Sequence, residues 1–213
     1  MSALVESLRS GHQRYRETRL PEYQPLFKKL ADRGQNPKAL VIACSDSRVD
    51  PTLMFDQDPG DLFIIRNVAN VVPPYDPGPG YHGTSAALEF AITGLELTDI
   101  IVMGHAQCGG VNALIEMADG APPAGEFIGP WMSIAMPAVQ DAGEAGDGHV
   151  DPDRTIKTEL AVVRLSIQNL MTFPWVASRI TDGNLNIHGF YFDIRNGFVH
   201  WLNPERDRFE DFV

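Results

Sequence analysis

Ala39-Leu-Val-Ile-Ala-Cys-Ser-Asp-Ser-Arg48 decides the fold of this 213-residue chain. Its first five residues are continuously apolar, as a strand covered on both faces requires, and polar residues begin abruptly at Cys44. Two later runs have the same character, Leu62-Phe-Ile-Ile65 and Ile100-Ile-Val-Met103. Between these two, Thr84 to Leu97 carries Leu88, Ala91, Ile92 and Leu95 on one helical face, with Thr84 or Ser85 able to cap its start. Strand, helix, strand at this spacing predicts a right-handed βαβ unit and an α/β fold with a mainly parallel sheet flanked by helices.

Outside this unit the periodicity is also informative. Leu4, Leu8, His12 and Tyr15 fall on one stripe of a helix, and Glu22 to Arg33 predicts a second short one. These pieces have little core of their own, so residues 1–34 read as a helical arm that packs on something else. Residues 35–213 read as the α/β core, the whole chain forming one domain. A helix is expected after Gly109-Gly110 towards Met117. Arg154 to Met171 predicts the clearest helix, with Ile156, Leu160, Val163, Ile167 and Leu170 as its stripe. Leu185–Phe192 and Phe198–Leu202 predict two late strands joined at Asn196-Gly197. The Gly- and Asp-rich stretch Asp141–Asp153 predicts a surface loop.

The formal net charge is -11, from 28 acidic against 17 basic residues. Such a surface repels nucleic-acid phosphates and anionic lipid, which argues against both as partners. No apolar run reaches the roughly 18 residues of a membrane helix, and Met1–Arg19 lacks the apolar region of a secretory signal, so a cytoplasmic protein is expected. The chain has two cysteines; with a suitably spaced histidine they read as metal ligands rather than as a disulfide.

The chemistry gathers at two strand ends. The first strand runs into Cys44-Ser-Asp46-Ser-Arg48, and the third into His105-Ala-Gln-Cys108. Ligands of open α/β sheets bind outside the carboxyl ends of strands. If the first and third strands are neighbours, Cys44 meets His105 and Cys108. Two thiolates and one imidazole suit zinc, and three protein ligands leave a fourth position for solvent, the mark of catalytic zinc. Water bound there becomes a much stronger acid. Asp46 and Arg48, two apart in an extended segment, point to the same side and can form a charge-assisted pair. Arg48 would keep Asp46 ionised, and Asp46 would orient the metal-bound water or swing onto zinc and close the site.

At these residues the chain resembles the β-class carbonic anhydrases. Ala43–Val49, Arg66–Tyr75, Gly83–Glu89, Gly104–Gly110, Asn169–Pro174 and Ile187–Tyr191 all look like segments of that family. The resemblance implies Cys44, His105 and Cys108 as ligands of Zn²⁺, with Asp46 and Arg48 as the catalytic dyad. It implies reversible hydration of CO₂ to bicarbonate and a proton, a five-stranded, mainly parallel sheet, and a homodimer or a dimer-based higher oligomer. Gln35, nine residues before Cys44, matches a glutamine that reaches the substrate across the dimer interface in plant-like members; Phe63, Val68 and Phe90 match the apolar wall of the substrate pocket. Two departures carry information. Phe90 stands where plant-like members often have Tyr, so it offers no hydroxyl for proton transfer. Val41 stands where bicarbonate-regulated members have Trp, which argues for the open, water-bearing zinc state.

Competing readings keep parts of this picture. A CS₂ or COS hydrolase would use the same scaffold, and a structural zinc module would need Asp46 as a permanent fourth ligand. A thiol-redox protein is disfavoured by the lack of Cys-x-x-Cys. His12, His82, His149, His188 and His200 are dispersed and read as surface or core residues, with His82 the one candidate proton relay. Trp131, Trp175 and Trp201 read as packing or interface residues, and Arg66-Asn67 as structural.

Overall fold

The computed structural model describes residues 2–142 and 152–213. Most of the expected loop at 141–153, with His149, lies outside these residues; Asp141 ends one helix and Asp153 lies in the next. In chain order the elements are α1 (Ala3–Thr18), α2 (Leu20–Arg33), β1 (Ala39–Cys44), α3 (Pro51–Met54), β2 (Leu62–Asn67), α4 (Gly83–Glu89), β3 (Asp99–His105), α5 (Gly109–Ala118), α6 (Ile128–Ser133), α7 (Met136–Asp141), α8 (Pro152–Leu170), α9 (Pro174–Thr181), β4 (Asn186–Phe192), β5 (Val199–Asn203) and β6 (Arg208–Asp211).

The strand order is β2-β1-β3-β4-β5-β6. The first four of these neighbours run parallel, and β5 and β6 are antiparallel additions at one edge. The mainly parallel α/β architecture matches the sequence expectation, but among the described residues the sheet has six strands, not five. The sixth forms because Asn203 Oδ1 accepts hydrogen bonds from the amides of Glu205 and Arg206, turning the chain back onto β5. The β4–β5 connection is longer than an Asn-Gly turn. Asp193 closes it by accepting from the Arg195 and Asn196 amides, with Gly197 at φ 75°.

All six residues of β1 are buried, and its alternation divides the core. Leu40 and Ile42, with Ile100 and Val102 of β3, pack under Leu88, Ile92, Val163, Leu170 and Phe173. Val41, Ala43 and Met103 face the other way and meet Phe190, with Ile64, Ile101, Phe192 and Trp201 half-buried around them. The arm behaves differently. Neither α1 nor α2 has a buried residue, and Leu4 and Leu8 are exposed.

The helix expected over 84–97 is not uniform. It starts at Gly83 with His82 at the cap position and no side-chain cap; the expected caps Thr84 and Ser85 fall inside its first turn, where the Thr84 hydroxyl accepts from Asn67 Nδ2 at 3.3 Å. Its α-helical part ends at Glu89 and widens into a π turn over Phe90–Gly94, closed by the Leu95 amide on the Phe90 carbonyl at 2.9 Å. Such local widening re-aims side chains, and here it falls on Phe90.

Candidate metal centre

The topology creates the site. From β1 the chain crosses to β2 on one side and returns to β3 on the other, so β1 and β3 flank the switch in strand order where α/β sheets bind ligands. Ile42 pairs with Val102 and Ala43 with Met103, which brings the ends of both strands together. Cys44 closes β1, His105 closes β3, and Cys108 caps the start of α5. All three are buried. One donor atom from each lies within 4.8 Å of the other two.

The donor set fits a zinc-like cation on three counts. The Cys44 and Cys108 sulfurs are 3.9 Å apart and free; a disulfide needs about 2.05 Å, whereas two zinc–sulfur bonds of about 2.3 Å at a tetrahedral angle span roughly 3.8 Å. His105 Nδ1 lies 2.9 Å from the Ala106 carbonyl. A proton on Nδ1 donates there and leaves the lone pair on Nε2, the arrangement metal-binding histidines use. That Nε2 atom is buried and has no hydrogen-bond partner, an orphan that a cation would satisfy.

The protons of the cluster tell the same story. The Cys44 thiol is pulled down by hydrogen bonding from Cys108, with His105 and the backbone amides of Asp46 and Ala69 assisting against the cost of burial. Cys108 is pushed up by the same bond to Cys44 and by burial. Burial opposes an imidazolium at His105, but the Cys44 sulfur and the Ala106 carbonyl outweigh it and raise its pKa. The two sulfurs are within hydrogen-bonding reach of each other at 3.9 Å. A divalent ion displaces their protons, since thiolates and neutral imidazole are the binding forms.

Asp46 stands at the rim. Its Oδ1 accepts from Arg48 Nε at 2.9 Å and from the Arg48 amide at 2.9 Å, and its Oδ2 accepts from Arg48 Nη2 at 2.7 Å. This bidentate grip holds the Asp46 carboxyl well below the usual carboxylate range. Oδ2 is also 3.9 Å from His105 Nε2, so the carboxylate faces the donor cluster while committed to Arg48. Arg66 supports the loop beneath, donating to the carbonyls of Cys44 at 2.9 Å and of Asp46 and Val49 at 2.6 Å.

Of the expected pocket residues, Phe63 and Phe90 come together, their rings 5.9 Å apart, with Phe90 half exposed. Val68 lies in a short 3₁₀ turn, Val68–Asn70, its carbonyl held by Trp131 Nε1 at 2.8 Å. Gln35 is exposed between α2 and β1 and makes no side-chain hydrogen bond among the described residues. His188 and His200 pair with Asp99 and Asp211 away from the cluster, and His82 lies against the Gly78 carbonyl.

Sequence reasoning missed Glu159 and Tyr191. Glu159 on α8 is buried, accepting from the Cys108 amide at 2.9 Å and from the Tyr191 hydroxyl at 2.7 Å. Burial raises its pKa, the two donors opposing it. The buried face of α8 carries Glu159, Val162, Val163, Ser166 and Leu170, whereas Ile156 of the expected stripe is exposed; a signal was present in Glu159 standing three and four residues before Val162 and Val163, where an acid is expected only with partners.

Comparison with known proteins places the chain in a family. The family model described as carbonic anhydrase matches residues 39–199. The carbonic anhydrase of Pseudomonas aeruginosa is 38% identical over 203 residues, covering 93% of this chain and 88% of that protein. The chloroplastic β carbonic anhydrase 5 of Arabidopsis thaliana is 40% identical over 168 residues, 78% of this chain, which spans 54% of the plant protein's length. Among solved structures, the β-carbonic anhydrase CcaA superposes with a TM-score of 0.88 at 31% identity, covering 100% of this chain and 93% of that one. A tetrameric β-carbonic anhydrase structure from Sordaria macrospora gives 0.82 at 29% identity, covering 95% and 98%. A strand-end Cys, His and Cys beside a bidentate Asp–Arg pair, on this sheet and with these relatives, leads to one assignment: the chain belongs to the β-class carbonic anhydrases.

Proposed function

We propose that this chain catalyses the reversible hydration of CO₂ to bicarbonate and a proton, with Zn²⁺ held by Cys44, His105 and Cys108. The single observation that carries the reading is the convergence of two sulfurs and an unpartnered imidazole nitrogen next to a carboxylate that is already fixed by Arg48. Bound there, the ion would act as a Lewis acid and lower the pKa of a solvent molecule towards neutrality.

The protein's own residues account for the rest. Asp46, kept ionised by Arg48, accepts a hydrogen bond from the attacking solvent oxygen and aims its lone pair at carbon. The new C–O bond forms as one C=O electron pair moves to oxygen, and the solvent proton leaves to water or buffer. Phe63 and Phe90 would supply an apolar wall suited to uncharged CO₂, and Val68, packed against the cluster that contains Cys44 and Cys108, a second apolar surface. Gln35 of a second copy would donate its amide N–H to the oxygen on which charge develops. Because both oxygens of Asp46 are engaged by Arg48, the open state is favoured over a four-ligand structural zinc site.

Residues 35–213 form the catalytic core in this reading, and residues 1–34 an arm. The bare apolar side chains of α1, the lack of buried residues in either arm helix and the exposure of Gln35 support a dimer in which arms reach across. The test is a stopped-flow CO₂ hydration assay on the protein as purified, after stripping with a chelator, and after restoring zinc. Activity that disappears on stripping and returns with zinc supports the proposal; activity indifferent to both treatments refutes it.

A further inference from the structure

The peptide bond joining Gln107 to Cys108 is held at both of its polar ends. Its carbonyl, on Gln107, accepts from Arg48 Nη2 at 3.0 Å. Its N–H, on Cys108, donates to Glu159 Oε1 at 2.9 Å. Each holder is itself held. The Arg48 guanidinium is locked on Asp46, and the other Glu159 oxygen accepts the Tyr191 hydroxyl at 2.7 Å. A continuous chain therefore runs from Asp46 through Arg48, across one peptide plane, to Glu159 and Tyr191.

The plane needs holding. Gln107 is a non-glycine residue at φ 58°, a left-handed conformation that is strained for an L residue. It occurs between two of the clustered donor residues, His105 and Cys108. Rotation of that peptide towards an ordinary conformation would release Arg48 on one side and Glu159 on the other, and would turn the Cys108 side chain that follows it. Glu159 and Tyr191 lie on α8 and β4, both packed in the core, so they anchor the plane to rigid elements rather than to another loop.

We propose that Glu159, braced by Tyr191, is a positioning residue that fixes the Gln107–Cys108 peptide, and through it both the Cys108 sulfur and the Arg48 that holds Asp46. The proposal rests on the metal reading above. Its role is steric and directional: Glu159 touches neither substrate nor the reacting atoms, and its effect is delivered through one backbone N–H. Outer partners of metal ligands commonly change metal affinity about 10- to 100-fold when removed.

The experiment follows zinc release from the holoenzyme into a chromogenic chelator, and the visible absorption of the cobalt-substituted protein, for wild type, Glu159→Leu, Glu159→Gln and Tyr191→Phe. A wild type that binds no zinc fails the metal reading itself, a result separate from the comparison of variants. With zinc bound, Glu159→Leu releases it at least tenfold faster and shifts the cobalt–thiolate bands. Glu159→Gln keeps a carbonyl acceptor for the Cys108 amide and stays within threefold of wild type. Tyr191→Phe, which keeps the core packing, releases zinc at least threefold faster. If Glu159→Leu fails to fold, Tyr191→Phe decides. Wild-type release and cobalt spectra in Tyr191→Phe, or a Gln variant as defective as the Leu variant, would overturn the proposal.

Discussion

The sulfur of Cys44 stands 3.9 Å from the sulfur of Cys108, across 64 positions of sequence. The distance is set by the sheet, because the two residues follow neighbouring parallel strands rather than each other. It is too long for a disulfide and suits two bonds to one ion. Cys44→Ser is therefore expected to lose zinc and CO₂ hydration together, with affinity reduced roughly a hundredfold or more by analogy with even outer-partner losses. Metal content after dialysis, measured beside the hydration rate, checks this. Retention of one zinc per chain in Cys44→Ser would count against the ligand assignment.

Asp46→Asn is expected to keep zinc and lose turnover, by about 10²- to 10⁴-fold if a positioned proton acceptor is removed. The sign of the pH effect follows from Arg48. Because Arg48 depresses the Asp46 pKa, their pairing contributes fully above the ordinary carboxylate value of about 4 and is lost as pH falls through the lowered folded value. Asp46 should thus introduce no limb into the activity profile between about pH 5 and 9. Arg48→Ala lets the carboxyl return upward and weakens activity first at the acid end. A pH–rate profile identical in shape to wild type for Arg48→Ala would contradict this.

Gly104 precedes His105 on β3, and a Cβ built there would lie 2.7 Å from Val163 Cγ2 on α8. The valine is fully buried and stiff at χ1, so helix and strand would have to separate. Gly104→Ala is expected to cost about 1–3 kcal/mol by overpacking and to displace His105 relative to α8. Denaturant unfolding reads the first effect and zinc content the second; an alanine variant as stable as wild type would mean that α8 can shift without consequence.

Deleting residues 1–34 should leave the sheet intact, since α1 and α2 contribute no buried residue to this chain, but should weaken self-association. Sedimentation velocity is expected to show the native chain as a dimer or multiple of dimers and the shortened one shifted to smaller species. Unchanged association would remove the arm from the interface.

Much of this architecture was legible because burial on both faces leaves a continuous apolar signature. Ala39–Ala43, Leu62–Ile65 and Ile100–Met103 appear within β1, β2 and β3, and the abrupt change to polar residues at Cys44 and His105 marked the strand ends. The edge was harder. Arg208–Asp211 has no apolar run, being an edge strand held by its backbone pairing to β5 and by Asn203 Nδ2 donating to Glu210. The π turn at Phe90 was invisible because its backbone widening leaves the apolar stripe intact. Glu159 was passed over because its partners, the Cys108 amide and Tyr191, lie 51 and 32 positions away; pairing at that range comes from topology, not from local pattern.

The most direct test is X-ray absorption at the zinc edge of the purified protein, with metal stoichiometry determined on the same sample. One zinc per chain, with two sulfur neighbours near 2.3 Å and lighter nitrogen or oxygen neighbours near 2.0–2.1 Å, is the expected result, the distances being about those of zinc sites generally. A folded chain without zinc, or a zinc shell lacking the two sulfurs, would contradict the account.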